Sequence, residues 1–194
     1  KLEMPQAVNI LEDAARAVHY AHTQGVIHRD IKPANVMVDR QGRGLIMDFG
    51  LAKTLDTATL LTKSGSSIGT PFYMSPEQVR GDLPSINERS DVYSLGVMLY
   101  EVIAGQLPFV GATTMEIYRK IIQEDPVRPK AFRPGIPSDL ETICLKAMEK
   151  EPRHRYPTAL DFAEDLRRHE GGEFIVARPP SLVAKGIRRL RRHR

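Results

Sequence analysis

The sequence predicts a mainly α-helical domain carrying one small β-hairpin, and three observations predict it. Val8, Leu11, Ala15 and Val18 recur at helical spacing, with Ile10, Ala14 and Ala21 beside them. The run from Asp91 to Ala104, DVYSLGVMLYEVIA, is apolar on nearly every side, as expected of a helix buried all round by its own domain. Two short apolar runs, Val36-Met37-Val38 and Leu45-Ile46-Met47, flank Asp39-Arg40-Gln41-Gly42-Arg43-Gly44, a polar segment with the glycines a hairpin turn uses.

Taken in order, Pro5 suits a first helical position and Gly25 closes that helix, because proline loses nothing there and glycine tolerates the left-handed cap. Residues 51 to 76 lack sustained periodicity and are rich in Thr, Ser and Gly, which predicts a long functional loop. After the buried helix, Pro108, Gly111, Pro126, Pro129, Pro134, Gly135 and Pro137 punctuate the chain and leave room for helices near 112–124, 138–150 and 157–169. Gly171-Gly172 and Pro179-Pro180 place the end of the compact domain near 170, with a linker and basic tail over 171–194. No internal repeat or low-complexity block is present.

The 194 residues fit one domain with a short appendage, at about 100–200 residues per domain. With 41% hydrophobic and 27% charged residues the chain can bury a core, which excludes disorder, collagen and a disulfide mini-scaffold. The single Cys144 excludes an internal disulfide and any multi-cysteine zinc site; following Leu140 and Ile143 and preceding Ala147, it is expected to be a core thiol. His19, His22, His154, His169 and His193 are scattered, so solvent or local hydrogen bonding is expected of them and not metal ligation. No apolar run approaches the roughly 20 residues that span a bilayer, and the opening at Lys1 shows neither initiator Met nor a charged-then-apolar leader, so no signal peptide is expected.

Net charge is +4, but it is unevenly placed. Arg178, Lys185, Arg188, Arg189, Arg191, Arg192 and Arg194 fall in the last stretch, which has no acid, leaving residues 1–177 at −3 from 21 basic and 24 acidic side chains. The basic pI therefore belongs to the tail, and nucleic acid is not an expected partner of the domain.

The first strand is preceded by His28-Arg29-Asp30-Ile31-Lys32-Pro33-Ala34-Asn35, and the second is followed by Asp48-Phe49-Gly50, with 12 residues between Asn35 and Asp48. Gly69-Thr70-Pro71 and Ser75-Pro76-Glu77 lie downstream. In this order and spacing the motifs resemble the catalytic and activation segments of eukaryotic-like, bacterial-type serine/threonine protein kinases. The resemblance covers residues 1 to about 170 as the larger, C-terminal helical lobe. A Gly-rich loop, a strand lysine and a helical glutamate do not precede His28, so the N-terminal β lobe is expected to be missing from this chain.

The resemblance implies a role for each motif residue. Asp30 would orient the substrate hydroxyl and accept its proton, Lys32 would neutralise the transferring phosphoryl group, and Asn35 and Asp48 would hold Mg2+ or Mn2+. Met37 would floor the adenine site of bound ATP, and Thr70 would bond near Asp30 and Lys32, which favours serine/threonine over tyrosine specificity. Arg29 and Lys53 would form a cationic pocket for a phosphorylated activation-loop residue. Ser66, four before Thr70, is a modest first choice for that residue over Thr62, with Ser64, Ser67, Thr57 and Thr59 as further competitors. Glu77 and Arg155 would form a buried ion pair, with Ser75 where the family usually has Ala; Asp91 would anchor the catalytic-loop backbone; His28 and Phe49 would stack, followed by Gly50.

These readings predict transfer of the ATP γ-phosphate to Ser or Thr of protein substrates by the parent protein, with the chain alone inactive for lack of the upper lobe. The alternative is a non-catalytic, pseudokinase-like interaction module. In the tail, Val183, Ile187 and Leu190 share a helical face among arginines, and both a solvated charge run and attraction to an anionic membrane surface stay open, with nucleic acid or an acidic partner also open. A cytoplasmic location is expected, including as the cytoplasmic portion of a membrane-anchored kinase in bacterial signalling. The sequence is silent on oligomeric state.

Overall fold

Helix α1, Met4–Thr23, begins behind a capping box in which Glu3 and Gln6 satisfy each other's free amides, with Pro5 in its first turn. It buries Val8, Leu11, Ala14, Ala15 and Val18 and ends where Gly25, at φ +76°, donates to the His22 carbonyl at 2.9 Å. A computed structural model describes this chain over residues 2–49 and 71–178.

Past Gly25 the chain returns as the loop that carries His28 to Asn35 and enters the hairpin. Strand β1, Val36–Val38, pairs antiparallel with β2, Gly44–Ile46, in the register Val36 to Ile46, Met37 to Leu45 and Val38 to Gly44. Asp39 organises the turn: its Oδ1 accepts the amides of Gln41 and Arg43, both at 2.9 Å. The second strand starts one residue earlier than the apolar run suggested, and Gly44 explains why. Its amide donates to Asp13 of α1 at 3.0 Å, and a side chain there would collide with the Ile10 backbone, so glycine lets the hairpin lie directly on α1.

On the far side of the undescribed segment, Ser75 caps the short helix α2, Pro76–Arg80, which ends at Gly81 in the left-handed conformation. Of the expected loop over 51–76, residues 51–70 lie outside the described residues, and the remainder carries a single 3-10 turn, Pro71–Tyr73, before α2 begins at Pro76. Helix α3, Glu88–Ala104, starts before the apolar run because Asn87 accepts the Arg89 amide at 2.9 Å as its cap. Residues Ser90 to Tyr100 are all buried, so α3 is the post around which the domain packs. Gly96 is where α3 meets the next layer: a Cβ there would lie 2.7 Å from that of Ala147.

Helices α4 (Thr114–Gln123), α5 (Ser138–Ala147) and α6 (Ala159–Glu170) are the remaining α-helices of the described residues. Both α5 and α6 pack on α3, and α6 also lies along α1, tied by Arg16 to Glu164 at 2.8 Å. The compact body continues beyond 170. Buried Asp165 accepts the amides of Val176 and Ala177 at 2.8 Å and the Tyr156 hydroxyl at 2.9 Å, which folds the following chain back onto α6. Among the described residues no helix is long and apolar enough to cross a membrane. The result is a helical body with a small hairpin and, between α1 and β1, a loop anchored by buried His28, Ile31 and Asn35.

Candidate active site

The loop from His28 to Asn35 is held from behind by Asp91 in the first turn of α3, where a helix N-terminus favours a carboxylate. Asp91 is fully buried; its Oδ2 accepts the His28 amide and its Oδ1 the Arg29 amide, both at 2.8 Å. His22 donates through Nε2 to the same Oδ2 at 2.8 Å. Arg29 takes φ +66°, a left-handed conformation that costs a non-glycine residue about 1–2 kcal/mol. Hydrogen bonds to a charged acceptor contribute about 1.5–3 kcal/mol each, so the Asp91 pair is enough to hold the strained turn.

His28 joins the two motif-bearing segments. Its Nδ1 faces the Asp30 amide at 3.3 Å and accepts, which places the proton on Nε2, where it is donated to the Met47 carbonyl at 2.9 Å. Its ring lies 5.0 Å from that of Phe49, at 55°. One imidazole thus touches the backbone of Asp30 and the residues on both sides of Asp48.

Around Asp30 the polar groups converge. Lys32 Nζ donates to Asp30 Oδ2 at 2.9 Å, and Asn35 Nδ2 donates to the Asp30 carbonyl at 2.8 Å. The hairpin brings the second carboxylate alongside, since the Met47 amide donates to the Asn35 carbonyl at 2.9 Å, one rung beyond the pairing of Val36 with Ile46. Asp48 follows at once, exposed and with φ +58°. Because the Asn35 amide nitrogen is spent on Asp30, its Oδ1 is left to accept, and the Asp48 carboxylate is solvent-facing. Oxygens that no described residue engages are the kind of donor Mg2+ or Mn2+ takes.

On the same face of the hairpin Met37 is 50% exposed and its cross-strand partner Leu45 46%. With Met47 they form an apolar strip beside the polar cluster, suited to the flat face of a base.

The end of the activation segment is fixed separately. Arg155 grips Glu77 through two bonds of 2.7 and 2.8 Å, both groups buried, and Ser90 donates to the same carboxylate at 2.7 Å. The remaining guanidinium protons go to the carbonyls of Glu149, Arg89 and Lys150. Burial alone would raise the Glu77 carboxyl; the guanidinium and Ser90 outweigh it and hold it below its ordinary value. Nearby, Tyr73 donates to Glu101 at 2.6 Å, and burial together with that carboxylate pushes the phenol well above its usual range.

The arrangement gathers Asp30, Lys32, Asn35 and Asp48, places His28, Phe49 and Asp91 behind them, and sets Glu77 with Arg155 at the base. Among the described residues, buried Arg29 Nε has no hydrogen-bond partner, a cationic group with spare capacity. Gly50, Lys53, Thr62, Ser66 and Thr70 lie outside the described residues, as does the tail from 179. Two supporting residues were not read from the sequence. His22, of which solvent or local hydrogen bonding was expected, continues the buried stripe of Leu11, Ala15 and Val18 on α1 and so meets Asp91, far away in the chain, with its hydrogen bond. Gln78 donates to the Arg29 carbonyl at 2.7 Å; only its place three after Ser75, a capping-box spacing, hinted at any task.

Comparison with known proteins bears on this geometry. The family described as "Protein kinase domain" matches residues 1–170. The chain belongs to the protein kinase family. Serine/threonine-protein kinase PknB of Mycobacterium leprae is 43% identical over 168 residues, 87% of this chain and 27% of that protein. PknB of Mycolicibacterium smegmatis is 42% identical over 168 residues, and serine/threonine-protein kinase PrkC of Bacillus subtilis 39% identical over 166, each covering 86% of this chain and 27% and 25% of the relative. The chain therefore spans about a quarter of the length of these kinases. Its helical body with one hairpin is the helical lobe of the kinase family, as the motifs implied.

Proposed function

We propose that this chain is the catalytic lower lobe of a protein that transfers the γ-phosphate of ATP to serine or threonine hydroxyls of proteins. The observation that carries this reading is the convergence of Lys32 and Asn35 on Asp30, with Asp48 on the neighbouring rung of the hairpin.

In the reaction the acceptor hydroxyl sits at Asp30, which orients it and takes its proton as the new oxygen–phosphorus bond forms. The bond from the γ-phosphorus to the β,γ-bridging oxygen breaks, and the electron pair leaves with ADP. Lys32, held at Asp30, offsets charge on the moving phosphoryl oxygens. Asn35 Oδ1 and Asp48 are the groups that would hold Mg2+ or Mn2+, which when bound supplies counter-charge to the triphosphate. Met37 and Leu45 offer the base an apolar floor. By the same resemblance Thr70 would bond near Asp30 and Lys32, and Arg29 with Lys53 would take a phosphate on Ser66 or Thr62.

An upper lobe supplied by the intact protein closes this cleft; without it the chain binds ATP weakly and turns over negligibly. Residues 178–194 are proposed as a basic tail attracted to an anionic membrane surface, with the domain in the cytoplasm. Phosphate transfer by the intact protein from labelled ATP to a Ser/Thr peptide tests the reading. Asp30→Asn should lower kcat by about 10²–10⁴, the contribution of a positioned acid–base group. Turnover that survives this substitution would refute it.

A further inference from the structure

The peptide plane that joins Arg29 to Asp30 has two polar ends, and each is held by a different element. Its N–H, belonging to Asp30, points at His28 Nδ1, and its carbonyl, belonging to Arg29, accepts from Gln78 Nε2 at 2.7 Å. The plane follows a left-handed residue, so its tilt is not the one the backbone would choose unaided. The tilt matters because it sets the direction in which the Asp30 side chain leaves the backbone.

Gln78 is itself rigidly placed. Its Oε1 receives the amide and the hydroxyl of Ser75 at 2.9 and 3.0 Å, which fixes the amide orientation and leaves the NH2 group facing Arg29. Its neighbour Glu77 is locked to Arg155. Movement of α2 is therefore passed to the carbonyl before Asp30 by one hydrogen bond. We infer that Gln78 is a positioning residue for Asp30, coupling the docked end of the activation segment to the orientation of the catalytic carboxylate. The inference rests on the kinase reading of this site.

Two variants of the intact protein separate this role from that of a helix cap. Gln78→Glu keeps an acceptor for Ser75, since glutamate serves equally in a capping box, but removes the donor to Arg29. Gln78→Leu removes both. Both variants should lower kcat about tenfold with KM for ATP and peptide unchanged, the size expected when a reacting group is slightly misplaced. Gln78→Glu should lower the unfolding temperature less than Gln78→Leu does, while amide exchange rises at residues 28–30 and stays unchanged in 88–104. A Gln78→Glu protein with wild-type kcat and exchange, or one whose losses only follow a lowered unfolding temperature, would overturn the inference. If the wild type shows no Asp30-dependent turnover, the kinase reading fails, while the exchange comparison still decides the role of Gln78.

Discussion

At Asp91 a single buried carboxylate takes the amides of His28 and Arg29 and the imidazole of His22. Removing it strands donors that water cannot reach, each costing about 1–3 kcal/mol. Asp91→Ala should therefore lower unfolding free energy by several kcal/mol in urea titrations, and Asp91→Asn, which keeps one acceptor oxygen, by less. Equal, near-zero effects would show that the loop is held some other way. Cys144 marks the opposite extreme. It is fully buried beside the Gly96 carbonyl, and burial, aided by Glu141, pushes its thiol well above the ordinary value. Iodoacetamide should leave the native protein unmodified and label it only on unfolding. The core role of this thiol was legible from its apolar neighbours. The role of His22 was legible only by extending the stripe of Leu11, Ala15 and Val18 one more turn.

Helix α2 is stable because of its partners, since five residues cannot sustain a helix alone. The partner that matters most is Arg155. Arg155→Met leaves Glu77 charged and buried, and breaking such a pair costs about 3–5 kcal/mol. The pair also sets an acid limit. The Glu77 carboxyl is held below its ordinary value in the folded state, so its contribution is full above that value and is lost as pH falls through the depressed one. Glu77→Gln should flatten the acid limb of a stability–pH profile, and an unchanged limb would assign acid sensitivity elsewhere. Element length decides what a sequence displays at this scale. The run of α3 is long enough to reveal itself by composition; α2 is too short to show a period; and β2 shifted by one residue because the fit of Gly44 against Ile10 is a contact between distant segments.

Across the whole molecule, the grouping of Asp30, Lys32, Asn35 and Asp48 was legible because their motifs are contiguous and ordered along the chain. The contact between Gln78 and Arg29 was not, because 49 residues separate two groups that meet only when α2 docks beneath the loop. The apolar strip of Met37 and Leu45 lies open beside the carboxylates, a surface that calls for a cover. Purified residues 1–194 should show only background phosphate transfer, whereas the intact protein should not. A robust signal from the isolated chain, abolished by Asp30→Asn, would overturn the need for an upper lobe. If Asn35 and Asp48 hold one ion beside Asp30, a double-mutant cycle on Mn2+ affinity of the ATP-bound intact protein will show it most directly. Asn35→Ala and Asp48→Ala should each remove most of the affinity, and the double variant should be little worse than the more severe single one; effects that simply add would mean that the two residues hold no common ion.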